Sequence, residues 1–324
     1  GVHLYSNGDL LAIYTGLNST PYGYGMALFD KYSKMKWQIN KNIHHIMDVG
    51  HDGTIYALAQ ELRPFTYSFS KRQRSILTDS IEIISAEGKS IRSIPLPEAF
   101  KDTPYESYFY SFPSIMGRLW DVSHANKVSV LDPAIADKFP MFPKGALLVS
   151  FRSLHTIAVI SPVTQKVIWA MRGPWRSQHH ASFLSNGHIL LFDNLGGYRN
   201  GIAYSRVLEI NPATGAIAWS YGDMQHERFL SPTRSQAQRL SNGHTFITDS
   251  HNMRLLEVAQ DHSIIWDYRF PIDPKFKANG VYADKTQMIY TPESIIPAID
   301  SRSQILHARH YEADELAFIK ADSH

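Results

Sequence analysis

Three histidines and one arginine are the residues in this sequence whose types and spacing could do chemistry together. His45 in NIHHIMDVGHDGTIYALAQ (42–60) and His179 in SQHHASFLSNGHILLFDN (177–194) each stand eight positions before a turn glycine, Gly53 and Gly187. His124 and Asn126 lie in WDVSHANKVSVLDP (120–133), and Arg152 follows in LLVSFRSLHTIAVI (147–160). Imidazole can act as nucleophile and as proton carrier near neutral pH. A guanidinium adds a fixed fork of donors suited to a tetrahedral oxyanion such as sulfate or phosphate. A lone histidine in a strand is as a rule a surface or satisfied core residue, so the case rests on a fold that brings these four together.

The elements that must do this repeat along the chain. A turn-plus-strand phrase recurs as SNGDLLAIY (6–14), HDGTIYALA (51–59), PKGALLVSF (143–151), SNGHILLFD (185–193) and SNGHTFITD (241–249). Asn-Gly and Asp-Gly reach positive φ cheaply in tight hairpins, and the apolar alternation behind them is the period-two mark of a strand. A strand–turn–strand phrase follows each, among them MALFDKYSKMKWQI (26–39), RVLEINPATGAIAWSY (206–221) and RLLEVAQDHSIIWDY (254–268). Trp37, Trp169, Trp219 and Trp266 fall at one point of the last strand, which predicts packing between neighbouring units.

Four short strands in roughly 40–50 residues is the span of one propeller blade. Five units are clear, and the segment 281–290 is expected to help complete a sixth with strands from the N-terminus. The expected fold is all-β: a single six-bladed β-propeller over 1–324, with four-stranded antiparallel blades around a central channel and 291–324 as the closing segment. Short helices are expected only near 98–110 and 312–320. In such a ring the first strand of each blade lines the channel. The shared glycine offset therefore puts His45 and His179 at similar depth, with His44 and His180 on the opposite faces of their strands. In the fifth unit the matching residue is Ser235, so the histidine ring is partial.

Composition bounds the partners. A net charge of +2, from 32 Lys and Arg against 30 Asp and Glu, gives no nucleic-acid footprint. The cluster Lys71, Arg72 and Arg74 reads as a solvated loop, and no apolar run is long enough for membrane insertion. Zero cysteines excludes disulfides and thiolate chemistry. No signal peptide is visible, and the strand-like opening GVHLYSNGDLLAIY leaves room for a missing N-terminal segment. No P-loop or dinucleotide fingerprint calls for a cofactor. Oligomeric state leaves no mark.

The ordered run H-x-N (124–126), S-x-R (150–152), QH (178–179), FDN (192–194) and SRVLE (205–209) resembles the arylsulfotransferase family of propellers, from about residue 42 to 270. The resemblance implies nucleotide-independent sulfuryl transfer from an aryl sulfate to a phenol, by a ping-pong route through a sulfohistidine, with no cofactor or metal. Carried over by position, His179 is the nucleophile, His124 and Arg152 hold the sulfuryl oxygens, and His45 stabilises charge or carries a proton. Asn126 and Gln178 match substrate-side motif positions, Asn126 as a support for His124. A periplasmic or secreted location goes with the resemblance. The family's Asp after each of two key histidines is replaced here by Ile46 and His180, which questions what orients the imidazoles. Two rivals stay open. One is a metal-dependent propeller hydrolase or lyase, with zinc on the three histidines; the other is a non-catalytic ligand-binding propeller.

Overall fold

The computed structural model describes residues 1–14, 22–66, 73–110, 121–222, 229–270, 295–299 and 305–316. The expected strand in 281–290, residues 317–320 of the helix expected near 312–320, and Lys71 and Arg72 lie outside the described residues. The described part of that helix, 312–316, is a turn and not a helix. The chain forms an all-β propeller whose blades are consecutive antiparallel meanders.

Blade one holds β1 (Val2–Leu4), β2 (Leu10–Tyr14), β3 (Gly25–Phe29) and β4 (Met35–Ile39). Blade two holds β5 (Ile43–Val49), β6 (Ile55–Thr66), β7 (Gln73–Ile84) and β8 (Ser90–Pro95), followed by helices α1 (Leu96–Phe100) and α2 (Glu106–Tyr110). Blade three is β9 (Ala125–Val130), β10 (Leu147–Phe151), β11 (Thr156–Ile160) and β12 (Val167–Arg172). Blade four is β13 (His179–Phe183), β14 (Ile189–Arg199), β15 (Ile202–Ile210) and β16 (Ile217–Tyr221). Blade five is β17 (Gln236–Arg239), β18 (Thr245–Asp249), β19 (Arg254–Val258) and β20 (Ile264–Arg269).

Where six four-stranded blades were expected, the described residues give five, plus a two-stranded sheet of β21 (Ile295–Ile299) and β22 (Ile305–His310). That sheet lies in the closing segment and fills the gap between blades five and one. On one side Gln238 exchanges hydrogen bonds with the backbone of His310 at 3.0 and 3.1 Å. On the other, the Leu4 N–H donates to the Tyr311 hydroxyl at 3.1 Å. The first strand pairs within its own blade, so the N-terminus does not lend a strand to the closing unit as the repeat count suggested.

Period-two alternation builds the cores between blades. On β10, Leu147, Val149 and Phe151 pack toward blade two with Leu58, Ile81 and Ile94, together with α1 and α2. Its Leu148 points the other way, into a core with Ile189, Leu191 and Leu208 of blade four. Each such buried aliphatic side chain contributes roughly 1.5–3 kcal/mol. The tryptophans act between blades as their spacing implied. Trp37 donates to Ala86 O in the hairpin of blade two at 2.9 Å, and Trp219 to Gln260 O of blade five at 3.0 Å. The hairpins close as the sequence indicates: Leu184 N bonds His188 O at 2.8 Å around Gly187, whose φ is 88°.

Candidate active site

The innermost strands β5, β9 and β13 begin at the channel, and each is irregular at its start. The ladder slips between His44 and Asp48, between His179 and Ser182, and on β10 between Ser150 and Phe151. His45, His124 and His180 take left-handed backbone conformations, with φ of 59°, 45° and 57°. This corrects two expectations. Strict alternation would put His44 and His45 on opposite faces, but the left-handed residue turns the strand so that their ring centroids lie 4.8 Å apart. The glycine offset also miscounts, because the two bulges differ in size. His44 pairs with Leu58 and His179 with Phe192, the same rung of the two ladders.

The four expected residues nevertheless converge. The His45 and His124 rings are 5.2 Å apart, and Tyr22 lies against both, at 5.4 Å and 4.7 Å. Desolvation, then the neighbouring His44, His124 and His179, hold His45 well below the ordinary imidazole range. Burial, reinforced by His124 and Arg152 and opposed by hydrogen bonds to Asn194 and Ser177, brings the His179 pKa down to about 3. The Arg152 N–H donates to His124 O at 3.0 Å, which joins the strand end of Arg152 to the turn that carries His124. In blade five the corresponding Ser235 is also left-handed, and its hydroxyl lies 2.7 Å from that of Ser231.

Hydrogen bonding fixes which nitrogen of His179 is available. Its Nδ1 faces two acceptors, Asn194 Oδ1 at 2.7 Å and Ser177 O at 3.0 Å. The Asn194 amide cannot be reversed, because its Nδ2 donates to Ser231 O at 2.7 Å and Arg234 O at 2.9 Å. Nδ1 therefore carries the proton, and Nε2 presents a lone pair.

The other imidazoles have carboxylates. Asp121 Oδ2 accepts from the Nδ1 N–H of His124 at 2.5 Å and from the Tyr22 hydroxyl at 3.0 Å. Asp79, on β7, approaches His44 Nε2 at 3.3 Å, and His44 Nδ1 lies 2.6 Å from His45 Nδ1. Burial opposes ionisation of Asp79, but His44, Ser123 and the Ala125 N–H together hold its carboxyl below the usual range. With Asp79 at Nε2, His44 accepts from His45 Nδ1, and the outer nitrogen of His45 is again a lone pair. In place of an Asp at Ile46 and His180, His45 is backed through His44 by Asp79 and His179 by the neutral Asn194 amide, while His124 has its own carboxylate in Asp121.

Asp79, Asp121, Asn194 and Tyr22 are the residues that reading the sequence missed or undervalued. Asp121 could have been found, being three residues before His124 on the same turn. Asp79 is visible only as one of two charges, with Glu82, in the apolar run of ILTDSIEII. Asn126 and Gln178 sit elsewhere than expected. Asn126 Nδ2 donates to Gln178 O at 2.8 Å, tying β9 to the residue before His179 rather than supporting His124. Gln178 Nε2 is spent on Phe151 O at 3.0 Å and Thr156 O at 2.9 Å. Both residues are fully buried or nearly so, at 2% and 0% exposure, and act as ties between blades. Among the described residues no group of three His, Asp or Glu side chains is arranged to hold a metal ion.

A family model, Arylsulfotransferase (ASST), matches residues 1–271. The chain belongs to the arylsulfotransferase family. The match spans all five four-stranded blades and every residue of the histidine cluster. Among solved structures, a protein of unknown function from Bacteroides caccae is similar at TM-score 0.51 and 14% identity, over 82% of this chain and 79% of that one, which shows the fold alone. A streptogramin B lyase is similar at TM-score 0.47 and 13% identity, over 84% and 68%. Virginiamycin B lyase from Staphylococcus aureus gives 0.48 and 10%, over 84% and 70%. A search of curated proteins finds no match. For this member of the arylsulfotransferase family, sulfotransferase-type chemistry is the activity class that the match supports.

Proposed function

We propose that this arylsulfotransferase-family protein moves a sulfuryl group from an aryl sulfate to a phenol in two displacements through His179. The observation that carries the reading is the Nδ1 lock on His179. Two carbonyl acceptors leave the Nε2 lone pair as the reactive atom, in a buried site ringed by His45, His124 and Arg152. An imidazole held neutral needs no deprotonation before it attacks.

In the first step Nε2 attacks sulfur in line. The N–S bond forms as the bond from sulfur to the aryl oxygen breaks, and the phenolate leaves with the electron pair and takes a proton from an imidazolium. His124, backed by Asp121, is the proton carrier at hand, whereas His45, kept neutral with its outer nitrogen a lone pair, can only accept a proton. In the second step the acceptor phenol gives its proton to the same carrier as its oxygen attacks sulfur. The N–S bond breaks, and the lone pair returns to Nε2. The Arg152 guanidinium and the His124 imidazole meet the charge on the sulfuryl oxygens, so positioning and fixed charge supply most of the rate. Asn126 and Gln178 serve by holding β9 and β13 in register. A periplasmic or secreted location goes with the family alone.

The test uses a chromogenic aryl sulfate with and without a phenol acceptor. The expected result is a burst of one phenol per protein, with an acid-labile sulfuryl group on His179, and no transfer by His179→Ala. Full transfer by that variant refutes the reading.

A further inference from the structure

Below the histidine cluster the channel holds a polar cavity of about 210 Å³. Its wall takes a side chain from every position of the ring: His3 on β1, Asp48 on β5, Lys127 on β9, His180 on β13, Gln236 on β17 and Arg309 on β22. Lys127 is three residues beyond His124 on the same strand, which at about 3.3 Å per residue sets it roughly 10 Å deeper. The left-handed His180 turns away from its neighbour His179 to line this space.

Lys127 is the anomaly here. It is only 7% exposed, and among the described residues its ammonium has neither a hydrogen bond nor an ion pair. A buried ammonium without a partner is costly by several kcal/mol, and such a group finds a counter-ion or gives up its proton. The one carboxylate in the wall, Asp48, is the negative charge that acts on Lys127, and backbone donors hold its oxygens away from direct contact. Asp48 accepts from Val130 N at 2.9 Å and from Val49 N at 3.1 Å. Arg309 gives one arm to Glu315 at 2.6 Å, while its Nη1 stays on the His3 side at 3.4 Å. His180 Nδ1 is a further buried polar atom with no partner among the described residues. Arg309 is thus paired with Glu315, and Lys127 faces Asp48 with no direct contact, across a space large enough for several waters or one small molecule.

We infer that this cavity is a second ligand site, distinct from the histidine cluster, that takes a small monoanion, a carboxylate or a halide, against Lys127 and Arg309. The anion supplies the direct partner that the Lys127 ammonium lacks among the described residues, and the surrounding amides and imidazoles provide the remaining polar contacts. The inference does not rest on sulfuryl transfer at His179.

The probes are sodium bromide and sodium acetate, applied to the whole chain near pH 7. Crystals soaked in bromide are expected to show an anomalous peak within hydrogen-bond distance of Lys127 Nζ. Acetate should remove that peak by competition if the natural ligand is a carboxylate, and leave it if the site is built for a halide. In solution either anion should raise the melting temperature of the wild type and of Arg152→Ala, and leave Lys127→Met unaffected. The soak needs no variant, so it decides the matter even if Lys127→Met does not fold. A channel that holds only water in both soaks overturns the proposal. So does a Lys127→Met variant that keeps the full anion response.

Discussion

His179 should make the protein acid-labile by an amount that can be worked out. Its pKa of about 3 in the fold compares with about 6.5 in an unfolded chain. Between these values the unfolded state binds a proton that the folded state refuses, so stability falls as the pH drops below 6.5. The lowered folded pKa fixes this sign. The contribution is complete above about pH 6.5, about 2 kcal/mol of it is gone by about pH 5, and roughly 5 kcal/mol is gone below about pH 3. The assay is urea unfolding of the wild type and of His179→Gln, each at about pH 7.5 and about pH 5. The variant carries whatever fixed cost the substitution has at both pH values, so the comparison is between the two losses. The wild type should lose about 2 kcal/mol more than the variant, roughly a thirtyfold difference in the folding constant. His3, which burial also depresses and which has no tie to His179, titrates in both proteins and cancels. His45, held down partly by His179, is relieved in the variant and so shrinks the variant's loss further. Equal losses would mean that His179 takes up a proton in the fold as readily as a free imidazole. The lone pair on Nε2 would then not be standing ready.

Asn194→Ala should lower kcat about 10–100-fold with little change in KM, since the tautomer lock is worth the 1–3 kcal/mol of a buried hydrogen bond; steady-state kinetics with a chromogenic aryl sulfate separate the two. Asp121→Asn removes the carboxylate that His124 and Tyr22 share, and a loss of similar size is expected in kcat, read by the same assay across pH. Arg152→Lys keeps the charge but not the fork, and should cost transfer about 100-fold while circular dichroism stays that of the wild type. Leu148→Ala, in the core between blades three and four, should cost about 2–5 kcal/mol in urea unfolding and leave the kinetics of the folded fraction unchanged.

How much of this could be read beforehand follows from which interactions are local. The hairpins and the alternating strands announce themselves within ten residues, so the blades and the tryptophans between them were legible. The sixth position was not. It is closed by β21 and β22, whose joint to β1 runs through the Tyr311 hydroxyl and not through a repeat-like phrase. The choice of His45, His124, His179 and Arg152 came from motif spacing and family resemblance, and the fold does gather them. The reason offered for their depth failed, because counting to a glycine assumes regular strands and these strands bulge at the site. The supports of the imidazoles were hidden for a different reason. Asp79 acts from the third strand of blade two on a turn of blade three, an inter-blade relation that no local pattern encodes. Asn194 reads as part of a strand until its amide is seen to reach Ser231 and Arg234.

The left-handed backbone at His45, His124 and His180 has a consequence for anyone who would engineer this protein. Histidine tolerates that region better than most residues, but glycine and asparagine are still more at ease there. Glycine or asparagine at these points would relax the backbone while silencing any chemistry, so selection for thermal robustness alone would erode the site. A useful screen must therefore demand turnover and heat tolerance together, because at these Cα atoms the two requirements pull against each other.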